Sequence, residues 1–179
     1  VIRWIGKVEV RREPGQPWDR EAQTVRIAKD ALSEGCPHRD LHVSRAHLLF
    51  LNGVLVPAED LINGSTICAV DPGAEVAIYF HIELDRHDVL LADGAPCESL
   101  LASVEARRNF DNFAEFLARY GAGATPPMTP FAPVVGFNGG RSQLRSRLRS
   151  AFAPIIDVRQ PLDIVRDTLE ARALLSKAA

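Results

Sequence analysis

The dipeptide Asn52-Gly53, set between the apolar runs LLFL and VLV, constrains this chain more than any other feature. A two-residue hairpin loop that matches the twist of its strands needs positive φ at both positions, and Asn-Gly meets that need at little steric cost. The flanking runs therefore read as paired strands. Asn63-Gly64 repeats the device, while Pro14-Gly15-Gln16-Pro17 and Asp71-Pro72-Gly73 mark further loops. Between these breaks, VIRWIGKVEV, TVRIAKDAL, HVSRAHLLFL, VLVPAEDL, STICAV and VAIYFHIELDRHDVLLADG are rich in β-branched and aromatic residues. Residues 1–100 are accordingly expected to be all-β.

The pattern changes after Cys97. CESLLASVEARRNFDNFAEFLARYG carries apolar residues at helical spacing, with Gly121 as a stop, and predicts one or two helices. A Gly/Pro-rich, irregular segment follows at about 121–140. SQLRSRLRSAF and PLDIVRDTLEARALLSKA then give two amphipathic patterns. In the second, Leu162, Val165, Leu169 and Leu174 share a face opposite Asp163, Asp167, Glu170, Arg166 and Arg172. The expectation is a β domain at 1–100 followed by an α-rich tail at 101–179.

Charge and cysteine usage narrow the function classes. A net charge of −2 exerts no general pull on nucleic acid or an anionic membrane. The basic cluster Arg141, Arg145, Arg147 and Arg149 contains Leu144 and Leu148 at i and i+4 and no aromatic residue to stack a base, so it reads as a solvated helix face. No apolar run is long enough to span a bilayer. Neither nucleic acid nor a membrane is expected as a partner. Cys36, Cys68 and Cys97 are odd in number and form no C-x-x-C pair, which favours reduced thiols. Cys36, His38 and His42 lie close together, but in a Gly/Pro turn without a second ligand pair, so no metal and no cofactor is expected. His81 alternates with Ile82 and reads as a satisfied strand histidine without a role.

Two stretches are candidates for chemistry, although Ser44-x-x-His47 taken alone reads equally as a histidine that caps a strand and bonds a backbone group. In Val43-Ser44-Arg45-Ala46-His47 a hydroxyl precedes an imidazole by three residues beside the hairpin, and in HIELDRHDVLLADG the pair His87-Asp88 joins a base to a carboxylate before the turn Asp93-Gly94.

Taken in order, these stretches resemble the Hint family, shared by inteins and the autoprocessing domain of Hedgehog proteins. There a T-x-x-H block is followed by a hairpin and a G-x-x-x-A-x-x-L run. VSRAHLLFLNGVLVPAEDLINGSTI is similar, with Ser44 in the Thr position and Gly53, Ala58 and Leu61 in register. YFHIELDRHDVLLADG resembles the late strand with its H-N-F and A-N-G elements. Trp4, Ile5 and Gly6, then His47-Leu48-Leu49, then Glu83 to Asp88 and Glu98-Ser99 fit a bacterial Hint subgroup with an early RWIG.

The resemblance implies an incomplete Hint-type β horseshoe and a self-cleaving parent. In that family a first-position Cys or Ser attacks the preceding carbonyl, and a histidine protonates the leaving nitrogen. By this resemblance His47 takes the histidine role, Ser44 the hydroxyl role, and His87 with Asp88 a supporting role in which the carboxylate orients an imidazole. The partner is the parent polypeptide upstream, with the external nucleophile unassigned. The nucleophile should lie a few tens of residues before RWIG, and Val1 cannot serve, so this chain alone is expected to be inactive. Removal of an initiator Met and a missing front are both compatible with the start. Ala95-Pro96-Cys97-Glu98 replaces the terminal His-Asn of an intein, so front-edge cleavage is expected rather than splicing, and Cys97 is expected to pack. The alternative is a non-catalytic Hint-derived scaffold. Cytoplasmic residence and secretion with the parent are both compatible.

Overall fold

A computed structural model describes residues 1–121, 128–136, 149–150, 153 and 159–178. Among them are nine strands, all paired antiparallel with one another: β1 (Ile2–Arg11), β2 (Thr24–Ile27), β3 (Leu41–Ser44), β4 (Leu48–Leu51), β5 (Val54–Pro57), β6 (Ile67–Val70), β7 (Val76–Leu84), β8 (Val89–Ala92) and β9 (Ala95–Glu98). They form three sheets, ordered β1-β7, β3-β2-β6 and β5-β4-β9-β8. Helices α1 (Val104–Arg108), α2 (Phe113–Tyr120) and α3 (Pro161–Ala178) follow. The fold is mainly β with a helical C-terminal portion, as the sequence predicts.

The turns explain much of the order. Asn52 and Gly53 adopt φ of 50° and 82°, the doubly positive geometry that closes β4 onto β5, and Asp93-Gly94 at 50° and 86° closes β8 onto β9. Asn63-Gly64 works differently. Only Gly64 has positive φ, and the Asn63 side-chain oxygen accepts the backbone N–H groups of Ser65 and Ile67 at 3.0 Å each, an Asx turn rather than a strand hairpin.

Three predicted strands are shorter than their apolar runs. TVRIAKDAL leaves the sheet after Ile27, HVSRAHLLFL breaks at a turn before His47, and VLVPAEDL ends at Pro57 and continues as a 3-10 turn over Ala58–Leu61. β9 lies where the sequence suggests the approach to a helix. The basic pattern SQLRSRLRSAF falls outside the described residues except for Arg149 and Ser150, as does much of the Gly/Pro-rich segment.

Two apolar clusters hold these layers. The larger joins Val25, Ile27, Leu49, Val56 and Ile67 of the sheets to Leu162, Val165 and Leu169 of α3. Arg166 anchors the helix by donating to the Asp60 backbone oxygen at 2.8 Å and its carboxylate at 2.9 Å. The smaller cluster packs Trp4 of β1 against Leu100, Ala102 and Phe116, with the Trp4 and Phe110 rings edge to face at 5.3 Å.

Gly6 shows how tight this second cluster is. It pairs with His81 across β1 and β7, and a Cβ placed on it meets three Phe110 ring atoms at 2.5–2.7 Å. Gly6→Ala must push back a packed aromatic, which is expected to cost about 1–3 kcal/mol. Gly73→Ala is the control, because nothing lies within 4 Å of its added Cβ. Urea unfolding midpoints should fall for the first variant and stay near wild type for the second.

Candidate functional site

The turn between β3 and β4 is built by backbone bonds. The His47 N–H donates to the Ser44 oxygen at 3.1 Å, the Ala58 N–H to the His47 oxygen at 2.9 Å, and the Glu59 N–H to the Arg45 oxygen at 3.0 Å. Arg45 and Glu59 add a side-chain ion pair at 3.2 Å. Ala58 is completely buried, so the 3-10 turn after β5 can lie flat against this one. The spacing from Ser44 through His47 to Ala58 is thus one mechanical unit that aims the His47 ring.

That ring meets two residues distant in sequence. The His47 and His81 rings lie with centroids 4.9 Å apart, and one nitrogen of each, with one Glu98 carboxylate oxygen, fall within 4.8 Å of one another. They border a cavity of about 620 Å3 whose walls include Val8, Ser44, Tyr79, Leu91 and Cys97. Among the described residues the His47 ring has no hydrogen bond, and His81 Nε2 is buried without a partner.

Glu98 is the fixed member. Its Oε1 accepts the Leu48 N–H at 3.0 Å, and its Oε2 lies 3.3 Å from His87 Nε2. The Phe131 N–H donates to His87 Nδ1 at 3.3 Å, which leaves the ring proton on Nε2 to be donated to Glu98. His87 therefore stands one hydrogen bond behind the cavity, with both nitrogens engaged and no lone pair to act as a base.

Asp88, expected to orient an imidazole, does not face one. Its carboxylate turns toward solvent, accepting from the Val89 N–H at 2.9 Å and from Arg86 at 3.1 Å. The Val89 bond, followed by Arg86, holds its pKa below the usual carboxylate range. Its strand direction explains the change: the Asp88 N–H is tied to Ser99 Oγ at 2.9 Å, and Glu98 in β9 reaches His87 instead. Ser44 lines the cavity beside His47, and Cys97 is buried in its floor with its thiol pushed up to about 12, chiefly by burial. Cys36, His38 and His42 lie apart from the cluster: Cys36 Sγ bonds the Gly94 oxygen, His38 faces Asp93 and His42 Nδ1 meets Thr24 Oγ1.

Sequence reasoning passes over His81 and Glu98. His81 carries no local signal, because its face is turned inward by the strand pairing with Gly6 and by the Phe110 ring that fills the space there. Glu98 carries none either, because β9 buries Cys97 and Glu98 in succession and shows no alternation.

Burial sets the electrostatics. It pushes His47 down to about 4, and it does the same to His81, aided by the neighbouring His47 and His87 and opposed by Glu98. Both imidazoles are neutral at pH 7, each with a lone pair. Because both folded values lie below the ordinary 6.5, the unfolded chain takes up these protons first as pH falls. The stabilisation is complete above 6.5 and drains away toward 4. The loss amounts to a few kcal/mol for the pair, since a tenfold difference in proton affinity between the folded and unfolded chain is worth about 1.4 kcal/mol. Chemical denaturation across that window should show the slope, and His47→Phe/His81→Phe should flatten it.

A neutral imidazole beside a hydroxyl, backed by a second imidazole and a fixed carboxylate, can take a proton from a nucleophile and return it to a leaving nitrogen. No curated protein and no solved structure matches the chain. The family model described as Hint domain matches residues 1–104, a span that contains His47, His81, His87 and Glu98. The chain belongs to the Hint domain family, whose function is generally of the autoprocessing type.

Proposed function

We propose that this chain supplies the proton-transferring half of a self-cleaving parent protein. The nucleophile, a Cys or Ser, lies on a segment preceding Val1 and attacks the carbonyl of the residue before it. His47 takes the thiol or hydroxyl proton as the new C–S or C–O bond forms. It then delivers that proton to the amide nitrogen as the C–N bond breaks, leaving a thioester or ester and a free amine. Water or an external nucleophile next releases the upstream piece. Ser44 borders the same space and can polarise the carbonyl.

The observation that carries this reading is the state of His47: neutral, unbonded among the described residues and facing a cavity beside His81 and Glu98. A purely structural histidine would have its nitrogens satisfied, as His87 does.

The test is to express the complete parent reading frame and follow its mass with and without hydroxylamine, which cleaves thioesters. A fragment whose N-terminus is a Cys or Ser upstream of Val1, formed faster with hydroxylamine, supports the proposal. A parent that stays intact under both conditions overturns it and leaves a non-catalytic scaffold.

A further inference from the structure

We propose that His47, His81 and Glu98 form a binding site for a divalent transition-metal ion of the zinc type. It uses side chains of the processing centre but does not depend on cleavage, so it can be tested on this chain alone.

Four observations lead there. The three donor atoms already lie within 4.8 Å of one another, whereas zinc bonds to nitrogen and oxygen are near 2.0–2.2 Å, so closing around an ion requires movements of roughly 1 Å. The His47 ring, with no hydrogen bond to break among the described residues, can make such a movement.

His81 Nε2 is an orphaned buried nitrogen. Such an atom is costly in a native interior unless something fills its lone pair. Nε2 is therefore the ring nitrogen left without a partner, and an ion would supply one.

Supporting contacts around the donors match those of metal centres. A ligating carboxylate is held by outer hydrogen bonds and a ligating imidazole donates its other N–H to a fixed acceptor. Glu98 meets the first condition through the Leu48 N–H and His87.

The donor set itself selects the ion. Two imidazoles and one carboxylate suit zinc and its neighbours, whereas calcium and magnesium favour all-oxygen sites. With three protein donors, the fourth position opens on the cavity, where water or a small anion can enter.

The 179-residue chain, freed of metal by chelation, is titrated with Zn2+ by calorimetry, and with Co2+ for the visible bands of a four-coordinate ion. One equivalent is expected to bind. His81→Phe keeps a ring in place and removes the orphaned nitrogen, so it should fold by circular dichroism yet bind at least tenfold more weakly. His47→Phe is the second variant. His42→Gln, on the cavity wall but outside the trio, should bind like wild type, and so should Cys36→Ser/Cys68→Ser, which excludes thiol capture. Failure of the wild-type chain to bind zinc overturns the proposal, as does binding that survives undiminished in both phenylalanine variants. Neither result bears on whether the parent cleaves itself.

Discussion

In the complete parent, His47→Ala is expected to slow self-cleavage by about 10^2–10^4-fold, the usual worth of a positioned general acid–base group. An amide nitrogen leaves poorly without a proton, and no other described group offers one in its place. His87 has both nitrogens engaged, Asp88 faces Arg86 and solvent, and Cys97 holds its proton up to about 12. His81 is the nearest other imidazole, its ring centroid 4.9 Å from that of His47, but it stands on β7 rather than on the turn that carries Ser44.

The loss should be one of rate rather than fold. His47 is only half-buried and bonds the structure through its backbone, which alanine keeps. Time courses of parent mass, with circular dichroism beside them, separate the two. Cleavage at the wild-type rate in a folded His47→Ala parent would remove His47 from the reaction.

The parts of this fold that can be read from sequence are those governed by local rules. Asn52-Gly53 and Asp93-Gly94 need positive φ, so any chain carrying them between apolar runs turns there. Helix α2 ends at Gly121, with φ of 77°, for the same reason. α3 declares its buried face through Leu162, Val165 and Leu169, but Leu174, read on that face, is 69% exposed, and Asp163, read on the charged face, is fully buried against Arg149. The turn from Ser44 to His47 is legible as well, because its support from Ala58 is a short-range contact.

What escapes is set by long-range pairing. His81 gains a partner only because β7 lies against β1 and β4 against β9, and no local pattern states either pairing. Glu98 has the appearance of a surface acid until Leu48 and His87 close around it. Phe131 is the extreme case, a residue of a Gly/Pro-rich stretch beyond the family span whose backbone fixes the proton of His87.

Glu83→Gln is expected to lower stability by about 3–5 kcal/mol, the usual cost of removing one partner from a buried ion pair. Glu83 and Arg107 are 0% and 1% exposed and joined by two bonds of 2.8 Å, Nε to Oε2 and one terminal nitrogen to Oε1. The guanidinium also lies over the Phe116 ring at 4.4 Å, and Arg3 Nε stands 4.0 Å from the same carboxylate. Glutamine keeps the shape of the side chain but removes the negative charge that both arginines face, in an interior where water cannot replace it.

The effect should be concentrated in one part of the molecule. Glu83 pairs with Trp4 across β7 and β1, and Arg107 is in the last turn of α1, so the ion pair ties the strands to the α1–α2 layer. A denaturant titration should show a lower midpoint, and hydrogen exchange should show α1 and α2 opening before the β5-β4-β9-β8 sheet. Restoring an apolar fit with Glu83→Leu/Arg107→Met should recover part of the loss, because the double change removes both charges. A Glu83→Gln variant as stable as wild type would mean that Arg3 and Arg107 find enough compensation without a carboxylate, and the layer would then be held by Trp4, Phe110 and Phe116 alone.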